Sequence, residues 1–274
     1  MKIKKTDIEL LEKKAKNIRY NIIRMIGNRG SGHPGGSLSI VEILVSLYFA
    51  HIHHDPKNPS WAERDRFILS KGHGAPALYV MLAEAGYFQK KELQTFRKVG
   101  SILQGHPDRK LTPGIDASTG SLGQGFSFAC GVALGAKLLK RKFRTYAVLG
   151  DGELDEGQVW ECAMSSAHYK LDNLTAIVDR NRYQNDGHTE QVMRLEPLKD
   201  KWEAFGWNVI EINGHDFREI LSCLQKANSK KGMPTVIIAH TTKGKGVSYM
   251  ENNPDFHGLA PTSEQSIQAL KELE

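Results

Sequence analysis

Cysteine is scarce, with three among 274 residues (Cys130, Cys162 and Cys223). They stand far apart and match no metal-binding spacing. A disulfide framework is thereby excluded, and the three read as small buried residues of a reducing compartment. Long apolar runs are also missing. Nothing approaches the roughly 20 residues of a membrane span, and no apolar signal-peptide core follows the basic start Met1-Lys2-Ile3-Lys4-Lys5. A cytoplasmic chain with no membrane partner is expected. Runs of one charge are absent as well. Lys and Arg number 37 against 31 acids, and the net +6 is scattered. That pattern argues against nucleic acid and suits anionic small molecules. With no internal repeat, low-complexity tract or linker, and with 40% hydrophobic content, residues 1–274 read as one domain around a large core.

What is present is periodicity. Apolar side chains recur at helical spacing over residues 7–26 (Ile8, Leu11, Ala15, Ile18, Ile22, Met25), and the predicted helix stops at Gly27. A second, more apolar helix covers 40–50. A short strand follows at 66–70, then a helix at 75–85 and a Gly/Ala-rich helix at 123–139. From there strands at 144–149, 174–179, 207–212 and 235–240 alternate with helices at 157–168, 197–205 and 216–228. Such alternation implies right-handed βαβ units, and hence an α/β fold whose parallel sheet has helices on both faces. A last helix is expected at 262–273, with Thr262 and Gln265 placed as a capping box.

Two of these apolar strands end in oxygen ligands. Tyr146-Ala147-Val148-Leu149 leads into Gly150-Asp151-Gly152-Glu153-Leu154-Asp155-Glu156-Gly157, and Leu174-Thr175-Ala176-Ile177-Val178 leads into Asp179-Arg180-Asn181. Open α/β sheets bind ligands at the carboxyl ends of their strands. A carboxylate (Asp151), an amide oxygen (Asn181) and a glycine-flanked turn suit a magnesium ion that keeps part of its shell for diphosphate oxygens. Four histidines, His33, His73, His106 and His257, stand next to glycines in segments that read as loops. Histidine there can donate to phosphate or shuttle a proton near neutrality. Any one of them alone reads first as a surface or structural histidine, four in this setting turn that reading towards a ligand role, and no pair has the short spacing of a zinc site. His51, His53 and His54 read as a solvated helix end, and Asp116 as a turn residue. The loop Gly120-Ser121-Leu122-Gly123-Gln124-Gly125 opens the Gly/Ala helix. It serves either tight helix packing or an anion or ring laid on free N–H groups. Gly30, Gly32 and Gly35 fit GxGxxG formally, but they follow a helix rather than a strand.

Together the segments Ser31-Gly32-His33-Pro34-Gly35, Arg64-Asp65-Arg66 through Ser70-Lys71-Gly72-His73, Gly105-His106-Pro107, Gly120 to Gly125, Gly150 to Gly157, Asp179-Arg180-Asn181 with Asp186-Gly187-His188, and Thr241-Thr242-Lys243-Gly244-Lys245-Gly246 resemble the N-terminal, diphosphate-binding portion of transketolases. The resemblance runs through almost the whole chain. It implies a thiamine diphosphate-binding fold and ketol transfer from a ketose phosphate to an aldose phosphate. By position, Asp151, Asn181 and the carbonyl of Tyr183 would hold Mg2+. Gly152, His73 and His257 would contact the diphosphate, and the Gly120–Leu122 loop, with Ser121, would lie along the cofactor's ring system. His33, His106 and His257 would face the sugar, and Glu156 would join a carboxylate network linking cofactor sites. Arg180 departs from the family pattern, where an acid or amide is common. The family's pyrimidine-binding and C-terminal domains have no counterpart here, and with them goes the glutamate that activates the cofactor. The resemblance therefore implies a split enzyme with a separate C-terminal subunit, two copies of each chain forming an α2β2 assembly. The alternatives are a subunit of another thiamine diphosphate enzyme, acting like a deoxyxylulose phosphate synthase or a 2-oxo acid dehydrogenase, and a cofactor-binding regulatory protein without catalysis.

Overall fold

The computed structural model describes residues 5–274, with side chains from Asp7 onward. The basic start of the chain, apart from the backbone of Lys5, lies outside the described residues. Helix α1 (Lys5–Arg29) is followed by α2 (Pro34–Leu38), α3 (Val41–Ala50), strand β1 (Arg66–Leu69), α4 (Ala75–Ala85), α5 (Gln124–Leu138) and β2 (Thr145–Gly150). Next come α6 (Gly157–His168), β3 (Leu174–Arg180), a two-residue hairpin of β4 (Tyr183–Gln184) and β5 (Gly187–His188), α7 (Thr189–Val192) and α8 (Leu198–Ala204). β6 (Asn208–Asn213), α9 (Phe217–Ser229), β7 (Thr235–His240) and α10 (Ser263–Glu272) complete the order. Among the described residues four 3-10 segments, at Gly72–Gly74, Lys90–Thr95, Gly152–Asp155 and Pro254–His257, lie between them.

Five strands pair in the order β1-β2-β3-β7-β6, every pair parallel. All residues of the central β2 and β3 are buried, which accounts for their near-continuous apolar sequence. The strand period of two then divides the interior into two cores. Tyr146, Val148, Ile177 and Ile237 point to the side covered by α1, α3, α4 and α9. Ala147, Leu149, Val178 and Ile238 point to the side covered by α5, α6 and α8, where Phe126, Trp202 and Trp207 fill the space. The expected parallel α/β sheet with helices on both faces is the fold observed.

Some local expectations need correction. Helix α1 runs past Gly27, whose missing side chain lets it pack on α10. A Cβ there would lie 2.5 Å from Ser266 Oγ. The stop is instead Gly30, in the left-handed region at φ +66°. Residues 34–38 form a short buried helix with proline at its start, not a loop. His51 and His54 are half-buried rather than solvated. His51 bonds the Tyr146 hydroxyl and Asn228, and His54 bonds the Tyr48 carbonyl and stacks on Tyr87. Asp116 is no simple turn residue. It holds Arg64 through both oxygens (2.6 and 3.0 Å) and accepts the Phe67 N–H, which clamps the start of β1. The capping box of α10 is present as expected.

Candidate active site

The carboxyl ends of β1, β2, β3 and β7 open on a cavity of about 380 Å³. Its floor consists of charges taken out of water and paired. Asp179, at the end of β3, is fully buried. It receives Lys71 Nζ at 2.6 Å, Ser39 Oγ at 2.7 Å, Asn181 Nδ2 at 2.8 Å and the Thr241 hydroxyl. Burial alone would raise its pKa, but the Lys71 charge wins and holds the carboxyl below its usual range. Because Asn181 spends its NH2 on Asp179, its oxygen is left to accept the Tyr183 N–H (3.1 Å) and to face the cavity.

Asp151 follows β2 directly and is 1% exposed. One oxygen accepts Gly152 N–H at 2.9 Å, and the other accepts Arg182 N–H at 2.6 Å and Arg180 Nη1 at 3.1 Å. Burial and the nearby Asp179 raise its pKa against the pull of Arg180. Arg180, the departure noted in the sequence, is wholly buried and also holds Thr189, Glu190 and Glu196. Glu153, similarly buried, accepts the N–H groups of Gly123 and Gly150 and the Ser70 hydroxyl, tying the glycine loop to the floor.

Four imidazoles rise from this floor. Ring centroids lie 5.0 Å apart for His73–His257, 5.5 Å for His33–His73, 5.8 Å for His33–His257 and 6.3 Å for His33–His106. Burial, and after it the Arg97 charge, pushes His33 down to about 4. Burial and Lys243 take His257 to about 3, while burial and Lys71 hold His73 well below its ordinary value. Partial burial and Arg97 lower His106, which is solvent-exposed beyond the other rings. Lys243 lies 2.7 Å from His257 Nδ1 and 3.2 Å from the Tyr183 carbonyl. Burial and Lys71 lower its own pKa to about 8.

The cavity thus gathers His33, His73, His257, Gly120, Leu122, Asp151, Gly152, Glu156, Asn181 and Tyr183, all singled out in the sequence. His106 joins through its contact with His33, and Ser121 is exposed outside the lining. Glu156 is exposed at the rim. The buried charges Lys71, Glu153, Asp179 and Lys243 were not assigned roles from sequence. The available signal was a charge at the end of a buried strand. A larger hollow of about 480 Å³, lined by α1, the start of α9 and α10, lies apart from these groups.

The residues fit a metal–diphosphate group. Carboxylate, amide and carbonyl oxygens from Asp151, Asn181 and Tyr183 line one cavity, the hard donor set that magnesium takes. The Tyr183 carbonyl already draws a cation, the Lys243 ammonium. Among the described residues no cluster of three or more His, Cys, Asp and Glu has the form of a metal site. Two glycines keep the walls close. A Cβ on Gly152 would lie 2.7 Å from Gln184 Cβ, and Gly120, at φ +149°, lets the His106 ring approach to 3.1 Å of where its Cβ would stand.

A model of the transketolase thiamine diphosphate-binding domain matches residues 11–273. The chain belongs to the transketolase family. It is 48% identical over 264 residues to the 6-deoxy-6-sulfo-D-fructose transketolase subunit SqwG of Clostridium sp. (strain MSTE9), covering 96% of each. It is 43% identical over 266 residues to an apulose-4-phosphate transketolase subunit of Phocaeicola vulgatus (strain ATCC 8482), covering 97% of this chain and 94% of that one. Transketolase from Campylobacter jejuni superposes over the whole chain with a TM-score of 0.92 and 34% identity, and this chain spans 43% of it. The sheet and its helices are therefore the α/β thiamine diphosphate-binding fold of transketolases. No helix among the described residues is long and apolar enough to cross a membrane.

Proposed function

We propose that this chain is the diphosphate-binding subunit of a two-subunit, magnesium-dependent cytoplasmic transketolase that moves a two-carbon ketol unit from a ketose to an aldose. The observation that carries the reading is one cavity with two chemistries. Its oxygen floor is Asp151, Asn181 and Tyr183, and its wall is the imidazoles of His33, His73, His106 and His257. Asp151, Asn181 and the Tyr183 carbonyl hold Mg2+. Gly152, His73 and His257 contact the diphosphate, and Gly120, Ser121 and Leu122 flank the ring system. Thiamine diphosphate, when bound, supplies the nucleophilic carbon and the electron sink for the transferred unit.

The protein's share is orientation and proton transfer. His33 and His257 are held neutral through the physiological range, so each can accept a proton from a sugar hydroxyl or return one through its N–H. His106, at the cavity mouth, faces the far hydroxyls. The relatives named as subunits match this chain nearly end to end, which supports a separate C-terminal chain as partner. That chain brings the activating glutamate, and its carboxylates meet Glu156 at the rim in an α2β2 assembly. Residues 1–274 serve as one domain in this reading. The names of these relatives carry a sugar phosphate and a sulfonated sugar, and we assign this chain to anionic sugars in the pentose phosphate range or close to it.

The test is ketol transfer from xylulose 5-phosphate to ribose 5-phosphate with thiamine diphosphate and magnesium, with and without a C-terminal subunit. Activity only in the mixture is expected. Full activity of the chain alone would sink the two-subunit reading.

A further inference from the structure

The three thiols stand in two different settings. Cys223, on α9, is 2% exposed, gives its S–H to the Ile220 carbonyl (3.1 Å) and is pushed up by burial to about 12. It is the inert thiol of an apolar interior. Cys130 and Cys162 lie on the other side of the sheet, on the neighbouring helices α5 and α6. Ser127 precedes Cys130 by one turn of α5, and Ser166 follows Cys162 by one turn of α6, so each helix turns one thiol and one hydroxyl towards the other. Cys162 Sγ lies 3.1 Å from Ser127 Oγ, and Ser166 Oγ donates to Cys130 Sγ at 3.1 Å. The two thiols also hydrogen-bond each other across the diagonal of this square, and both are free of any disulfide.

Access to the pair is one-sided. Cys130 is buried, whereas Cys162 is half-buried and within reach of solvent. The outer surface of the two helices is open, with Phe128 and Met164 exposed and nothing within 4 Å of where a Cβ on Gly131 would stand. The hydrogen bond from Cys130, aided by Ser127, outweighs burial and lowers the Cys162 thiol to about 7. The same bond, with burial, pushes Cys130 well above its ordinary value. One thiol thus ionises near neutral pH at a reachable position, beside a second that keeps its proton. That division is the one between an attacking thiol and a resolving thiol.

We propose that Cys162 and Cys130 form a peroxide-reactive dithiol, a modification site apart from the histidine-lined cavity, in which Cys162 is oxidised first and Cys130 resolves it. The oxidant is a hydroperoxide. Its terminal oxygen passes to the Cys162 sulfur, giving a sulfenic acid and releasing the alcohol, or water in the case of hydrogen peroxide. The Cys130 sulfur then attacks the Cys162 sulfur, and the sulfenic hydroxyl leaves as water with the Cys130 proton. Two thiols and one hydroperoxide become one disulfide, one alcohol and one water. The link staples α5 to α6, the helices that follow the glycine loop and Glu156, and exchange with a small dithiol reverses it.

The experiment treats the reduced full chain, in the assembly in which it purifies, with a small molar excess of hydrogen peroxide at neutral pH. Remaining thiols are alkylated and the chain is mapped with trypsin, which places Cys130 in peptide 111–137, Cys162 in 145–170 and Cys223 in 219–226. The expected product is a disulfide joining the first two peptides within one chain, with Cys223 still free. In the reduced wild type, Cys162 takes up iodoacetamide about 10-fold or more faster than Cys223, a measurement that needs no variant. Cys162→Ser leaves Cys130 reduced at the same peroxide dose. Cys130→Ser, which keeps a hydroxyl donor beside Cys162, stops the reaction at the sulfenic acid, trapped as its dimedone adduct. Equal alkylation of Cys162 and Cys223 overturns the proposal. So does a cross-link between chains in place of the internal one, no link between the two peptides, or no dimedone adduct on folded Cys130→Ser protein.

Discussion

On the floor of the cavity the buried charges are spent on one another. Asp179 has four donors and Glu153 three, and Lys71 lies between Asp179 and the Gly36 carbonyl. Along the histidine wall the arrangement is the reverse. His33 Nδ1 is buried with no hydrogen-bond partner among the described residues, and the rings touch chiefly one another and cations. Buried polar groups are normally bonded, and an orphan marks a place where stability is given up for something else. In the proposed function the floor supplies the fixed geometry that a metal and a diphosphate require. The wall keeps lone pairs and N–H groups free for a substrate whose protons must move.

The comparison breaks most sharply at Asp151. Replacing it by alanine removes a ligand oxygen as well as its bonds, and cofactor affinity in the presence of magnesium should fall by more than about 100-fold. Fluorescence titration with thiamine diphosphate measures this, and an unchanged affinity would refute the metal assignment. Next comes the Lys71–Asp179 pair. Lys71→Met leaves a buried carboxylate uncompensated and should cost about 3–5 kcal/mol of folding stability, read by denaturant unfolding. A loss under 1 kcal/mol would mean that the floor relaxes freely. On the wall, His106→Ala should leave cofactor affinity and stability unmoved but lower turnover by about 100-fold, the low end for a positioned acid–base group. Lost cofactor binding there would assign His106 to the floor instead.

The smallest effect is in pH. His33 and His257 remain neutral in the folded chain down to about pH 4 and about pH 3, whereas their ordinary value is 6.5. Between those limits the unfolded chain binds more protons, so stability falls as pH drops from 6.5 towards 4. His33→Gln should flatten that slope, and an unaltered slope would show that His33 is not held neutral.

Much of this architecture is legible in the sequence. The strand expected at 174–179 occupies Leu174–Arg180, and the helix expected at 123–139 occupies Gln124–Leu138. Short apolar runs and glycine-rich openings are local signals that tertiary packing did not override. The oxygen-bearing residues Asp151 and Asn181 follow strand ends, where parallel sheets leave room for ligands. What escaped reading is non-local. Lys71 finds Asp179 only through the register that sets β1 beside β2 and β2 beside β3. His51 and His54, crowded at the end of α3, gave no sign that Tyr146, Asn228 and Tyr87 would cover them. Arg180 is the instructive case. Its burial on Asp151 depends on Glu190 and Glu196, which follow the hairpin, and composition carries no trace of that arrangement.

The Asp179 hub also bears on how the molecule comes into being. Its donors come from residues 39, 71, 181 and 241, so no contiguous fragment shorter than residues 39–241 can complete it. Contacts of such separation form late, after the loops between them have closed. A chain folded only as far as β3 would lack the Thr241 donor to Asp179. A ligand that recognises this floor adds its stabilisation only to finished molecules. In the proposed function, bound cofactor would thus favour chains in which residues 39 to 241 have come together over chains that have not.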